Sequence, residues 1–125
     1  MPLIPAEALP YLENHIYLPM LMTILERDRQ LVEKVAYKLK SPYLNLLEDA
    51  MNSVTTDLQK TAVYLRQHKM KVIRQSSDEL FTEYLFVHDG YEDYRRYLNV
   101  RLRNRTEELL NQYLRKLESQ NFLAP

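Results

Sequence analysis

The sequence predicts a mainly α fold, with three principal helices at about residues 18–39, 42–68 and 91–118 and a small β-hairpin at about 70–87. Three observations carry that expectation. Apolar residues recur at three- and four-residue steps through the helical segments. After Lys69 the period changes, and β-branched and aromatic residues gather in two short runs. Finally, 125 residues with 46% hydrophobic and 27% charged side chains suit a single domain, 1–125, able to bury a core without metals or disulfides.

Residues 1–12 contain Pro2, Pro5 and Pro10 and read as an N-terminal arm. Pro10 pre-sets the helical backbone angle and could open a short helix. Pro19 lacks an amide donor and clashes with the carbonyl four residues back, so it belongs in the first turn of the first long helix. Leu21, Leu25, Asp28, Val32, Val35 and Leu39 then keep helical spacing, with Ile24 and Leu31 beside them. Asp28 interrupts the stripe, and the buried face is expected to turn around it through Leu31.

Ser41-Pro42 marks the next start, the serine as N-cap and the proline at the first helical position. Leu44, Leu47, Met51, Val54, Leu58, Thr61 and Leu65 form the most regular stripe in the chain, with Glu48, Asp49, Asp57, Lys60 and Arg66 off it. Asn52-Ser53 could divide this rod, Ser53 capping a second helix. Met70–Arg74 and Phe81–Val87, separated by Gln75–Glu79, read as the hairpin. Asp89-Gly90 fits either a two-residue turn into a strand from Tyr91 or the approach to a helix. The helix is preferred, because Tyr91, Tyr94, Leu98, Leu102, Leu109, Tyr113 and Leu117 keep helical spacing; Asn99 could cap a later start. Residues 119–125 are expected to fray.

Composition excludes more chemistry than it nominates. One glycine cannot build a phosphate-cradling loop, and zero cysteines remove disulfides, thiolate metal sites and thiol nucleophiles. Seventeen basic residues against seventeen acidic ones remove any whole-chain attraction for nucleic acid. No apolar run is long enough to span a membrane, and the N-terminus lacks the pattern of a secretory signal, so a cytoplasmic location is expected. His15, His68 and His88 fall in separate elements without ligand spacing, and no serine sits in a nucleophile elbow. The expectation is a non-enzyme, with no cofactor, no metal, no membrane partner and no small-molecule substrate.

The most unusual segment is Tyr91–Arg105, where Arg95, Arg96, Arg101, Arg103 and Arg105 are interleaved with tyrosines. Arginine forks suit phosphate or guanine. The plainer reading sets these arginines on a solvated face, paired with Glu92, Asp93, Glu107 and Glu108. A DNA-binding alternative makes 43–51 and 54–68 a helix-turn-helix, 70–87 its wing, and the last helix a dimer arm. Thr55, Thr56, Gln59 and Lys60 would then meet base edges alongside the arginines. That order resembles winged-helix regulators with a C-terminal dimer helix, including the bacterial replication-terminator type. It departs from them at His68-Lys69-Met70, where the helix-to-wing junction has no glycine, and at Asp57, whose charge weakens a recognition surface.

IYLPM (16–20), ILERDR (24–29), YKLKSPYLNLLE (37–48) and EYLFVHDGYEDYRRYLNVRLRN (83–104) together carry a closer likeness. Through them the chain resembles the YhjD-like family of short uncharacterised proteins of Gram-positive spore-forming bacteria. The resemblance implies no activity, and it points to the SPY boundary and the Gly90 segment as organising features. The functional expectation is therefore a helical interaction or regulatory protein whose partner, engaged through a helix face, is itself or another protein. DNA is the alternative.

Overall fold

Hydrophobic stripes of helical period at both ends of the chain enclose a strand-forming middle. The computed structural model describes residues 4–123, with side chains through residue 116. A 3-10 turn (Ala6–Ala8) leads into α1 (Leu9–Lys34) and α2 (Ser41–Gln67). Strands β1 (Met70–Ser77), β2 (Phe81–His88) and β3 (Tyr91–Leu98) follow, and α3 (Asn99–Leu123) completes the order. The predicted hairpin is thus corrected to a three-stranded antiparallel sheet, β1-β2-β3. Residues 91–98 are its third strand, and the last helix starts at Asn99 rather than at 91.

Backbone geometry at one turn explains the correction. Asp89 (φ 50°) and Gly90 (φ 87°) both occupy the left-handed region, as a two-residue hairpin turn demands, and His88 pairs with Tyr91. Along β3, residues 93, 95 and 97 are half-buried while 92, 94, 96 and 98 are exposed, the two-residue period of a strand. Tyr91, Tyr94 and Leu98 keep helical spacing only by sampling both faces.

The first helix also departs from expectation. It begins at Leu9 and passes straight through Pro19. Leu12, Ile16, Leu18, Leu21 and Leu25 on it are no more than 2% exposed. At roughly 1.5–3 kcal/mol each, their burial outweighs the roughly 3 kcal/mol that an interior proline costs. Ile4 and Ala8 join the same core, so the described part of the predicted arm is packed rather than loose. The helix stops at Lys34, short of the predicted 39, and the Lys40 ammonium donates to the Glu33 carbonyl there (2.6 Å). Leu31 is 52% exposed; the buried face descends through Leu21 and Leu25 and does not turn through Leu31.

α2 holds its predicted length. Its N-cap is Lys40, which makes no side-chain cap bond, so Ser41 is helical and does not cap. The rod is unbroken through Asn52-Ser53, and this removes the helix-turn-helix. Ala50, Val54, Thr61 and Leu65 form its buried face.

Met70 and Val72 of β1 with Tyr84 and Phe86 of β2 share the inner face of the sheet and pack on the helices. Asn99 locks the sheet to α3. Its amide donates to the Asp78 carbonyl (2.9 Å), its carbonyl oxygen accepts from the buried Thr82 hydroxyl (2.6 Å), and its backbone N–H donates to Leu80 (2.8 Å). Leu102, Thr106 and Leu109 face the core from α3, and the Tyr113 hydroxyl donates to Asp57 of α2 (2.5 Å). Of the tail expected at 119–125, residues 119–123 continue α3 and 124–125 lie outside the described residues.

Candidate functional site

Two places in the fold present side chains that the fold itself does not use. The first lies at the corner where β3 becomes α3. Alternation along β3 sends Arg95 and Tyr97 to the helix side and Arg96 to the opposite face. The first turn of α3 then brings Arg101 back to the corner. There a cleft of about 590 Å³ is lined by Glu13 and Tyr17 of α1, Phe81 of β2, and Arg95, Arg96, Tyr97, Leu98 and Arg101.

Its cations are held differently. Arg95 Nε donates to Asp93 Oδ2 (2.8 Å), with its guanidinium carbon 5.1 Å from the centre of the buried Phe86 ring. The Arg96 guanidinium lies 4.2 Å above the Phe81 ring. Among the described residues no carboxylate is in ion-pair range of Arg96 or Arg101. The Tyr97 hydroxyl donates to Glu13 Oε2 (3.2 Å). Burial first, and the Glu13 charge second, push the Tyr97 and Tyr17 hydroxyls above the ordinary phenol range, so both are proton donors at neutral pH.

Three of the nine residues singled out in the sequence, Arg95, Arg96 and Arg101, meet in this cleft. Arg103 lines a separate groove between α1 and α3, beside Ile24 and Leu110. Arg105 donates to Glu108 (3.1 Å), the solvated pairing of the plainer reading. The Thr55 hydroxyl turns to Met22 of α1 (4.0 Å), and that of Thr56 turns back to the Asn52 carbonyl (3.0 Å). Gln59 and Lys60 are exposed. All four lie mid-helix, so none stands at the helix start where a recognition helix reads bases. Glu13, Tyr17, Phe81 and Tyr97 were not among the sequence candidates. Glu13 reaches the cleft across 84 positions of chain, and no local pattern announces that.

The three histidines stay apart. His15 Nδ1 is buried without a hydrogen-bond partner, beside a mostly apolar cleft of about 670 Å³ that includes Leu65, Met70 and Val72. His68 stacks on Tyr64, which stacks on Tyr11. No group of three or more metal-ligating side chains occurs among the described residues.

The second place is the far end of the α1–α2 hairpin. Buried residues of α1 end at Leu25 and those of α2 begin at Ala50. Beyond them Arg29 ties the two helices, donating to Glu48 (3.0 and 2.9 Å) and pairing with Glu33 (2.9 Å). Ile24 and Leu31 stay exposed along the outer side of α1, Val35 is exposed just past its end, and Tyr37, Leu39 and Tyr43 are exposed at the tip. Ile24, Asp28 and Leu31 follow four- and three-residue steps on α1, so they form one outward stripe, with Val35 just past the helix end.

A family model described as "YhjD protein" matches residues 3–118, a span that takes in the hairpin, the sheet and the cleft. The chain belongs to the YhjD family. It is 39% identical over 114 residues to "Uncharacterized protein YhjD" of Bacillus subtilis (strain 168), an alignment covering 91% of this chain and 95% of that relative. No solved structure matches it. Among the described residues of this YhjD-family protein, no helix is long and apolar enough to cross a membrane.

Proposed function

We propose that this YhjD-family protein acts by contact rather than catalysis, as an interaction or regulatory protein that pairs with a second copy of itself through the outer stripe of α1. The proposed compartment is the cytoplasm, which a cysteine-free chain suits. The observation that carries the reading is the exposure of Ile24 and Leu31 along one stripe of α1, continued by Val35 at its end.

A symmetric pair places the same patch against itself. With the twofold axis at Leu31 and the two helices antiparallel, Asp28 stands opposite the partner's Lys34, and symmetry repeats the pair. The stripe is therefore complementary to itself in charge as well as apolar. Six apolar side chains, already about half-buried, gain roughly half of 1.5–3 kcal/mol each on full burial. That sum, of the order of 5–9 kcal/mol, is comparable to the lower part of an association cost of about 4–15 kcal/mol. Pairing therefore depends on concentration.

Light scattering on a concentration series tests it. The mass is expected to rise from 15.0 kDa toward twice that value. Asp28→Lys should return it to the monomer, and Asp28→Lys with Lys34→Asp should restore the pair. A 15.0 kDa species at every concentration, or a mass indifferent to both changes, overturns the proposal.

A further inference from the structure

We propose that the cleft at the β3–α3 corner binds a phosphate group, carried on a small ester or as the free ion, between the guanidinium groups of Arg96 and Arg101.

The charge balance favours an anion. Arg95 is neutralised by Asp93, and no carboxylate among the described residues lies in ion-pair range of Arg96 or Arg101, while Asp78 and the cross-strand Glu83 act on Arg96 from outside the cleft. Glu13 is the one acid lining the cleft, and it is already engaged by the Tyr97 hydroxyl. Within the lining, two cations without an ion-pair partner stand against one carboxylate, which makes the cleft wall itself positive.

The donors are also prepared. The Phe81 ring 4.2 Å below its guanidinium carbon restrains Arg96, so less side-chain freedom is lost on binding. Arg forks match the oxygens of a phosphate two at a time. The Tyr17 hydroxyl, protonated and buried beside Arg101, adds a neutral donor. α3 brings no acid in its first turn to oppose an anion at its N-terminal end. These features converge from α1, β2, β3 and α3, so no single one carries the site.

Shape selects a small ligand. The volume of about 590 Å³ equals about twenty waters at roughly 30 Å³ each, well beyond the five heavy atoms of a phosphate. Phe81 and Leu98 offer apolar wall to the remainder of an ester. A nucleic-acid backbone laid through the same corner would meet the Glu13 carboxylate on α1.

Calorimetric titration at low salt, with adenosine monophosphate and inorganic phosphate as probes, tests the proposal. At least one probe should bind. Arg96→Ala and Arg101→Ala should each weaken binding tenfold or more, and Glu13→Gln should tighten it several-fold. Arg103→Ala, in the neighbouring groove, should leave it unchanged. Arg101 is exposed and its side chain makes no hydrogen bond among the described residues, so its loss does not threaten folding. Tighter binding of the nucleotide assigns the site to an ester, and equal binding assigns it to the free ion; either upholds the proposal. It is overturned if neither probe binds at millimolar concentration. Equal losses in Arg96→Ala, Arg101→Ala and Arg103→Ala, or binding to duplex DNA alone, overturn it as well. The mass of the protein in solution is a separate readout, so this result and the self-association result stand or fall independently.

Discussion

Gly90→Ala tests the two-residue turn on which the third strand depends. Gly90 sits at φ 87°, and a Cβ built there meets nothing within 4 Å. No clash contributes, so the change reports backbone strain alone. An L-residue in the left-handed region costs roughly 1–2 kcal/mol. Alanine also restricts the unfolded chain, which offsets roughly 0.4–1 kcal/mol of that. The net expectation is a loss of about 1 kcal/mol, a fall in Tm of about 4 °C for a domain of this length. Urea unfolding followed by circular dichroism measures the difference. A Gly90→Ala protein as stable as the parent, or more stable, refutes the turn geometry and the third strand with it.

Phe86→Ala removes a fully buried ring from the inner face of β2 and should cost about 3–5 kcal/mol, read as a lower urea midpoint at unchanged slope. Asn99→Ala loses two hydrogen bonds at about 1 kcal/mol each and orphans the buried Thr82 hydroxyl. Amide exchange at the start of α3 should then accelerate more than exchange in α2. Backbone N–H groups of Phe81 and Leu80 hold the Asp78 carboxyl below its ordinary value of 3.8. A depressed carboxylate contributes stability above the unfolded value and loses it as pH falls through the folded one. The stability gap between the parent and Asp78→Asn should therefore be full at neutral pH and close below pH 3.8.

Where one face of an element is buried, the sequence was legible. α2 shows this best: Val54, Thr61 and Leu65 sit on the stripe that its spacing predicts. β3 reads as a helix because Tyr91, Tyr94 and Leu98 are exposed large apolar residues that happen to stand at three- and four-residue steps. α1 was misread twice for energetic reasons. Local backbone chemistry argues against Pro19 in a helix, but burial on both sides of it prevails. Its apolar stripe past Leu25 looked like core, and the interrupting Asp28 was the one local sign of a surface. The arginines were grouped by nearness in sequence, whereas alternation along β3 and the turn of α3 sort them by direction. Tyr64 and Tyr113 are half-buried, while Tyr43 and Tyr94 are more than half exposed. Glu13 and Tyr17 complete the cleft through tertiary packing alone.

Self-association through the outer stripe of α1 is most directly tested by cross-linking, which a chain with no cysteine of its own makes unambiguous. Leu31→Cys puts a single thiol on the proposed twofold axis, where facing Cα atoms can approach the roughly 4.4–6.8 Å that a disulfide needs. Ile73→Cys puts one on the exposed outer face of the sheet, away from that axis. Mild oxidation of each at equal concentration should convert the Leu31→Cys protein rapidly to a covalent dimer and leave the Ile73→Cys protein largely monomeric. Equal rates for the two, or faster linkage at Ile73→Cys, would contradict pairing through α1.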